Sequence, residues 1–438
     1  MKVLFQALGC RLNEAELESW SNELVTQGHQ VTTDKSQADV VVFNTCSVTG
    51  EADRKSRQMI NRMHRSNPDS RLVVTGCYAS LQGDALATLP GVDMVIDNLA
   101  KDDLVRRLVE TYKPELEPPD PDAHPLFERG RQRAFIKVQD GCRYRCTFCI
   151  VTLARGEERS RSRQQIIDDI NRHHLQGVQE VVLTGVHVGG YGSDSGDSLY
   201  RLLEAILDKT SMPRIRLASV EPWDLPDEFF NLFQDPRLMP HMHLPLQSGS
   251  DSVLRRMARR CKTRQFREIV EQARKAVDRF NVTTDIIVGF PGETEQEWRD
   301  TVDFVESVGF GHIHIFSYSP RSGTKAAGMP LQVAPDIKKA RSEQLHDVAA
   351  SLKQTALRDM LDQTCEVLWE RPEPGGSGRW IGYTPNYHRI LGEGMPGLAG
   401  SEIRAVSVSR VCDDVLMGQP RELDTPQAFN NNRLQMAT

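Results

Sequence analysis

From residue 134 onward the chain alternates strand-like apolar runs with amphipathic helical stretches, and this alternation constrains the fold more than any other feature. The strand-like runs cover 134–138, 180–186, 214–219, 241–246, 284–288 and 312–318. Six βα units without a closing pair predict an incomplete version of the parallel α/β barrel, whose chemistry belongs at the C-terminal ends of the strands. The loop directly after the first run carries Cys142, Cys146 and Cys149.

Before the barrel pattern, a different unit repeats: an apolar, β-branched run, a small or polar residue, a cysteine, then a polar helical stretch. Val3-Leu4-Phe5 leads to Cys10, Val40-Val41-Val42-Phe43 to Cys46, and Leu72-Val73-Val74 to Cys77. These spacings suit βα units of a parallel sheet, in which strand C-terminal ends share one edge, so three distant cysteines are expected to converge. Prolines 114, 118, 119, 121 and 125 among acidic residues then mark an extended linker. Beyond residue 361 short strands at 365–369, 380–383, 388–391 and 402–411, with glycine-rich turns, predict a small all-β barrel or sandwich. The expected organisation is thus an α/β domain over 1–113, a linker over 114–133, a partial (β/α)6 barrel over 134–360, a small β domain over 361–421 and a polar tail over 422–438.

A formal charge of −6 argues against a uniformly basic nucleic-acid binder and leaves any polyanion to a local patch. The N-terminus lacks the apolar core of a signal peptide and no run is long enough for a membrane helix, so a cytoplasmic protein without membrane contact is expected. In that reducing compartment cysteines are more often metal-binding or catalytic than disulfide-bonded.

Cx₃Cx₂C gathers three soft thiolates in one loop, which suits iron–sulfur ligation and leaves one iron without a protein ligand. The alternatives are a buried structural set and a zinc site, although no fourth Cys or His lies near the loop in sequence. Cys10, Cys46 and Cys77 read either as small core residues or as a second three-ligand metal centre. Cys261, Cys365 and Cys412 share no spacing and read as ordinary thiols.

With Phe148 before its last cysteine, the loop resembles the radical S-adenosylmethionine (SAM) superfamily. That resemblance implies a [4Fe–4S] cluster at Cys142, Cys146 and Cys149, with SAM bound to the open iron and cleaved to a 5′-deoxyadenosyl radical. Other strand ends supply candidate cofactor-binding residues: Gly185, Ser219, Glu221, Gln247 and Gly289, together with Phe148. Leu8-Gly9-Cys10-Arg11-Leu12-Asn13, Asn44-Thr45-Cys46-Ser47-Val48-Thr49 and Gly76-Cys77-Tyr78-Ala79 resemble the N-terminal domain of the methylthiotransferases. Arg155-Gly156-Glu157-Glu158-Arg159-Ser160-Arg161, His243-Leu244-Pro245-Leu246-Gln247-Ser248-Gly249 and residues 285–294 resemble their radical domain. The β-rich region is similar to their TRAM domain, an RNA-binding module, with Gly382-Tyr383-Thr384-Pro385-Asn386-Tyr387 in the comparable place.

This resemblance implies a second [4Fe–4S] cluster at Cys10, Cys46 and Cys77 that carries the transferred sulfur. One SAM serves as methyl donor and a second as radical source, so the chemistry rests on the clusters and no side chain is assigned a catalytic role. Asn44–Thr49, Arg54-Lys55-Ser56-Arg57-Gln58 and Gly185-Val186-His187 resemble the branch acting on N6-threonylcarbamoyladenosine 37 of transfer RNA. Isopentenyladenosine 37, a ribosomal-protein aspartate and, from another class, a zinc-bearing RNA-binding protein are the rival readings. Ser80 departs from this branch, which often has Gln there.

The implied partners are the anticodon stem-loop, an electron donor and a sulfur source, with the protein acting as a monomer. Arg255, Arg256, Arg259, Arg260 and Lys262, continued by Arg264 and Arg267, meet no acid within the run and form a candidate phosphate-contacting surface. A solvated helix face explains them equally well. Arg155, Arg159, Arg161 and Arg163 are left open between RNA, cofactor carboxylate and barrel rim. Residues 365–421 hold six basic against seven acidic side chains, so an RNA role there rests on resemblance alone.

Overall fold

The computed structural model describes residues 1–112, 132–395 and 397–420. The linker expected at 114–133 falls almost entirely outside the described residues, and the tail at 422–438 wholly so. No described helix is long and apolar enough to cross a membrane.

The N-terminal domain runs β1 (Lys2–Ala7), α1 (Arg11–Thr26), β2 (Gln30–Val31), β3 (Val40–Thr45), α2 (Gly50–Ser66), β4 (Arg71–Gly76), α3 (Cys77–Ala87), β5 (Val92–Ile96) and α4 (Leu104–Tyr112). Its five strands are parallel in the order β2-β1-β3-β4-β5. Side chains alternate between two faces, so Val3, Phe5, Val40, Val42 and Val73 pack on Trp20 and Leu108, while Leu4, Val41, Phe43 and Val74 pack on Ile60 and Leu86. The run Val40–Phe43 is buried on both faces, which is why it reads as continuous apolar sequence. Strands β2 and β5 escape sequence reading because one is two residues long and the other is interrupted by Asp93.

The central domain contains β6 (Arg133–Lys137), β7 (Gln139–Asp140), α5 (Val151–Arg155), β8 (Arg159–Ser160), α6 (Arg163–Leu175), β9 (Glu180–Thr184), α7 (Leu199–Lys209), β10 (Arg214–Leu217), β11 (His241–His243), α8 (Asp251–Arg256), α9 (Thr263–Ala276), β12 (Asn281–Val288), α10 (Glu295–Val308), β13 (His312–Ser317) and α11 (Pro335–Arg358). Two parallel three-stranded sheets, β10-β9-β6 and β11-β12-β13, join through bridges at Ile215–Leu238 and Ser219–His243 into one six-stranded arc. All six expected strands are present. Ala134, Ile136, Val181, Leu183, Ile215, Leu217, Met242, Val282 and Ile313 belong to the core shared with the surrounding helices. Their alternates, among them Arg133, Lys137, Glu180, Arg214, Arg216, His241, His243, Thr283, Asp285, His312 and His314, line a polar bore.

The gap between β6 and β13 is spanned by the N-terminal domain. On one side the Phe135 N–H donates to Glu18 Oε2 at 2.7 Å. On the other, Arg321 donates to Asp53 Oδ2 at 2.6 Å and Ser47 Oγ at 2.8 Å.

The C-terminal domain is a closed barrel, β14-β15-β16-β18-β17, of β14 (Thr364–Pro372), β15 (Trp380–Tyr383), β16 (Arg389–Gly392), β17 (Glu402–Cys412) and β18 (Val415–Pro420). Only Asp413 and Asp414, at φ of 44° and 64°, separate β17 from β18, so this tight hairpin hides a fifth strand from sequence reading. The segment between β15 and β16 plugs the N-terminal end of the bore. Arg216 Nη1 donates to Pro385 O at 3.0 Å, Arg214 Nη2 to Thr384 O at 3.1 Å, and Asn281 Nδ2 to Asn386 O at 2.8 Å. Arg133 lies over the Tyr383 ring at 4.5 Å and Arg216 over Tyr387 at 4.4 Å. Burial alone would raise the Glu180 carboxyl, yet Arg216, Arg214 and Arg133 hold it far below the usual carboxylate range. Tyr383 and Tyr387, in the segment comparable to an RNA-binding module, are thus spent on the barrel floor.

Candidate active site

Parallel order places the ends of β1, β3 and β4 side by side, and each carries a cysteine. Cys10 caps α1, Cys46 follows β3, and Cys77 opens α3. Gly9 and Gly76 turn the chain into these positions at φ of 114° and 96°. A Cβ on Gly9 would sit 2.8 Å from Cys46 Sγ, and one on Gly76 would sit 2.4 Å from Asn44 Oδ1. Burial pushes the Cys46 thiol up to about 12, with the neighbouring Cys10 and Cys77 adding to it. A bound cation is therefore needed to make this thiol a thiolate, and an all-sulfur donor set suits iron. Ser80, the departure from the threonylcarbamoyl branch, stays close to this centre: its hydroxyl accepts the Asn98 N–H at 2.8 Å and donates to Gly76 O at 3.1 Å.

The decisive residue beside these cysteines comes from the other domain. Arg155, 1% exposed, donates from Nε to Cys77 Sγ at 3.3 Å and from Nη2 to Asn13 Oδ1 at 2.7 Å. Its Nη1 lies 3.0 Å from both Glu16 Oε1 and Asp140 Oδ1. Lys101 and Lys137 also bind this carboxylate pair. Three buried or half-buried cations around two carboxylates leave positive charge facing the thiols, which complements thiolate ligands. Of the four arginines left open by the sequence, Arg155 is the one that reaches a cysteine sulfur, while Arg159 joins the same cluster from its exposed side, 3.8 Å from Asp140 Oδ2. Glu16, Lys101 and Asp140 carried no sequence signal, because only tertiary packing brings them together.

The second cysteine loop lies between β7 and α5. Thr147 pins it, donating from N to Met257 O at 3.0 Å and from Oγ1 to Arg256 O at 2.9 Å. Tyr144 and Arg143 tie its other end to Asp224, at 3.0 and 2.9 Å. Behind them His187, fully buried, bridges Glu158 Oε1 at 2.9 Å and Asp224 Oδ2 at 2.7 Å. Burial would lower this imidazole, but hydrogen bonds to Asp224 and Glu158 prevail and raise it to about 9, so it is an imidazolium donating to both. Burial pushes Cys142 up to about 12, with the charge of Glu221 contributing, and Cys149 up to about 11.

The six expected cofactor residues all stand at strand C-terminal ends or in the cysteine loop. Glu221 Oε2 is shut off from solvent without a hydrogen-bond partner and lies 3.6 Å from His187 Nε2. A buried carboxylate oxygen beside Cys142 that faces the His187 imidazolium but accepts no hydrogen bond keeps its acceptor capacity for a ligand ammonium group. Ser219 bridges to His243, and Gln247 bridges to Ile286. Phe148 packs against the Val253, Met257, Ile287 and Phe290 cluster. Gly185 abuts Gln139, where a Cβ would lie 2.9 Å from Oε1, and Gly289 faces the stem of Lys338, where it would lie 2.2 Å from Cγ. Gly289 therefore serves helix packing at the rim.

Of the expected phosphate-contacting residues, Arg255, Arg260 and Lys262 are exposed. Arg256 corrects the reading of an unopposed run: Glu297, 41 residues away, holds it through contacts of 2.7 and 2.8 Å. Arg259 lies over Trp223 at 4.3 Å and Arg260 over Tyr144 at 4.5 Å, so this segment borders the cysteine loop.

Residues 2–97 match the model of Uncharacterized protein family UPF0004, and residues 136–305 match that of the Radical SAM superfamily. The chain is 34% identical over 418 residues to threonylcarbamoyladenosine tRNA methylthiotransferase MtaB of Bacillus subtilis, covering 92% of both chains. To MtaB of Thermotoga maritima it is 36% identical, covering 84% of this chain and 86% of that one. A tRNA-2-methylthio-N(6)-dimethylallyladenosine synthase of Paracoccus denitrificans is 32% identical, with 92% and 93% covered. Among solved structures, the radical SAM methyltransferase TsrM of Kitasatospora setae shares the fold, with a TM-score of 0.55 at 16% identity over 72% of each chain. A partial parallel barrel with a three-cysteine loop at its first strand end is the architecture of a radical SAM enzyme. The chain belongs to the radical SAM methylthiotransferases, in the MtaB-like branch, and is a transferase with [4Fe–4S] clusters and SAM as cofactors.

Proposed function

We propose that this enzyme methylthiolates C2 of N6-threonylcarbamoyladenosine 37 in transfer RNA, with one SAM as methyl donor and one as radical source. The observation that carries this reading is the 34% identity to the Bacillus subtilis enzyme across 92% of both chains. Cys142, Cys146 and Cys149 hold one [4Fe–4S] cluster, and Cys10, Cys46 and Cys77 hold the other. When bound, the first supplies the electron that cleaves SAM and the second supplies the sulfur that is transferred.

The chain's own residues position and insulate these groups. Glu221 accepts the cofactor's ammonium, while Phe148, Gly185, Ser219, Gln247 and Gly289 shape the surrounding strand ends. The Tyr383–His388 segment closes the floor of the bore and keeps water from entering behind the substrate. Phe316, 44% exposed on the bore face of β13, offers a ring on which an unstacked adenine can lie. Arg255, Arg260 and Lys262 contact phosphates of the anticodon stem-loop. The protein acts in the cytoplasm as a monomer and takes electrons and sulfur from donors outside the chain.

Mass spectrometry of transfer-RNA nucleosides from a strain lacking the gene tests the reading. The methylthio mark on threonylcarbamoyladenosine should vanish and return with the gene. A mark that persists unchanged overturns the assignment.

A further inference from the structure

Arg11 is the first residue of α1 and immediately follows Cys10. Its guanidinium lies 5.2 Å from the centre of the Phe135 ring, a side chain on the bore face of edge strand β6. Other bore cations are paired: Arg133, Arg214 and Arg216 with Glu180, and Lys137 with Asp140. Among the described residues no carboxylate is paired with Arg11, and its side chain is exposed.

The opposite edge of the arc presents histidines to the same space. His243 Nε2 lies 3.1 Å from Asp285 Oδ1 and its Nδ1 lies 2.9 Å from Thr283 Oγ1, so Asp285 is already engaged. His314, exposed on edge strand β13, stacks edge-on to His243 at 5.4 Å, and a nitrogen of its ring lies within 4.8 Å of the His243 and Asp285 donor atoms. Burial and the nearby His243 disfavour protonation of this imidazole, the Asp285 carboxylate opposes them, and the more distant charge of Arg11 adds a smaller push in the same direction as burial. An anion bound by Arg11 would supply the counter-ion that the described residues do not.

We infer that Arg11 forms the subsite for the free carboxylate of the substrate's threonylcarbamoyl group, with His314 on the opposite edge strand contributing. The inference rests on the function proposed above. In adenine, C2 and the N6-bearing carbon flank the same ring nitrogen, so a group on N6 must lie near whatever delivers sulfur to C2. The residue next to Cys10 is placed to read it. A guanidinium without a protein counter-ion rewards a carboxylate and gains nothing from a neutral alkyl group, which makes the subsite a discriminator between N6 substituents.

The test uses the reconstituted holoenzyme and three synthetic anticodon stem-loops, carrying threonylcarbamoyladenosine, its methyl ester, or adenosine at position 37. Filter binding should show the wild type preferring the acid over the ester by about tenfold, as expected for one charge-assisted contact. Arg11→Gln should bind acid and ester alike, Arg11→Lys should keep part of the preference, and His314→Ala should lose a smaller share. Exposure of Arg11 makes the variant safe for folding, which its melting temperature checks. An Arg11→Gln enzyme with the wild-type acid-to-ester ratio, or a wild type with no preference, overturns the subsite while methylthiolation of the acid stem-loop still upholds the function. Failure of the wild type to methylthiolate that stem-loop overturns the function and the subsite with it.

Discussion

The two cysteine centres are assembled by opposite strategies. Cys142, Cys146 and Cys149 sit within one loop, so local sequence spacing alone brings the donors together, and the fold has only to hold the loop still. Cys10, Cys46 and Cys77 meet only because β1, β3 and β4 are neighbours in a parallel sheet. Their supports differ as well. The loop is braced within its own domain by the His187 imidazolium between Glu158 and Asp224, whereas the distributed centre is braced by Arg155 reaching across the domain boundary. The distributed centre therefore depends on docking between domains, and the local one does not.

The largest expected effect separates the two centres by reaction. Cys77→Ala should abolish methylthiolation yet leave reductive cleavage of SAM to 5′-deoxyadenosine, while Cys146→Ala should abolish both, as read by chromatography of the products. Cleavage lost equally in both variants would erase the division of labour.

Next comes the brace. Arg155→Met leaves Glu16, Asp140 and the Asn13 amide oxygen without their shared donor, and should destabilise the protein by about 3–5 kcal/mol in urea unfolding. The exposed Arg255→Met control should stay within about 0.5 kcal/mol. Iron bound at the distributed centre should fall in the first variant alone, measured in a background where Cys142, Cys146 and Cys149 are replaced by alanine.

A third effect separates the centres by pH. Because the folded His187 is raised to about 9, its contribution is complete below its ordinary value of 6.5 and fades as pH rises through about 9. Glu16 and Asp140 are depressed: burial opposes ionisation, but Arg155 and the two lysines outweigh it. Their contribution is complete above the ordinary carboxylate range and is lost as pH falls through the lowered folded values. Hydrogen exchange on the metal-free protein should thus show the cysteine loop loosening first on the alkaline side and the domain boundary first on the acid side. His187→Asn, costing about 2–3 kcal/mol, should remove the alkaline transition without touching the acid one.

The smallest effect concerns the rim beside the loop. Replacing Arg255 and Lys262 together by alanine should weaken stem-loop binding severalfold, flatten its salt dependence by about two charges, and leave the melting temperature unchanged. An unaltered salt slope would assign this face to solvent.

Legibility in the sequence follows the same divide. The six barrel strands are legible because their outward faces bury apolar residues against helices, and β-branched runs survive in the sequence as a pattern. Val415–Pro420 is not, since a two-residue turn leaves no visible break, and β2 is too short to carry a period. The charge run from Arg255 to Lys262 is legible as a run, but its partner Glu297 is not, because an ion pair between distant residues has no sequence spacing. The same holds for Tyr383 and Tyr387, whose role in the barrel floor depends on Arg133, Arg214 and Arg216 meeting one buried Glu180.

What the sequence determined by itself were the candidate donors and the element order: three cysteines at strand ends and three in one loop, a βα rhythm that can only wind as a parallel sheet, and a β-rich close. Chain-local chemistry suffices there, since thiol spacing and hydrophobic period are properties of contiguous residues. The tertiary structure alone decided which charges accompany those donors. It placed Arg155 against Cys77, left Arg11 without a counter-ion among the described residues, and filled a barrel bore with paired cations and histidines. Burial is the reason: a charge withdrawn from water must find its partner in space, and the partner can lie anywhere along the chain.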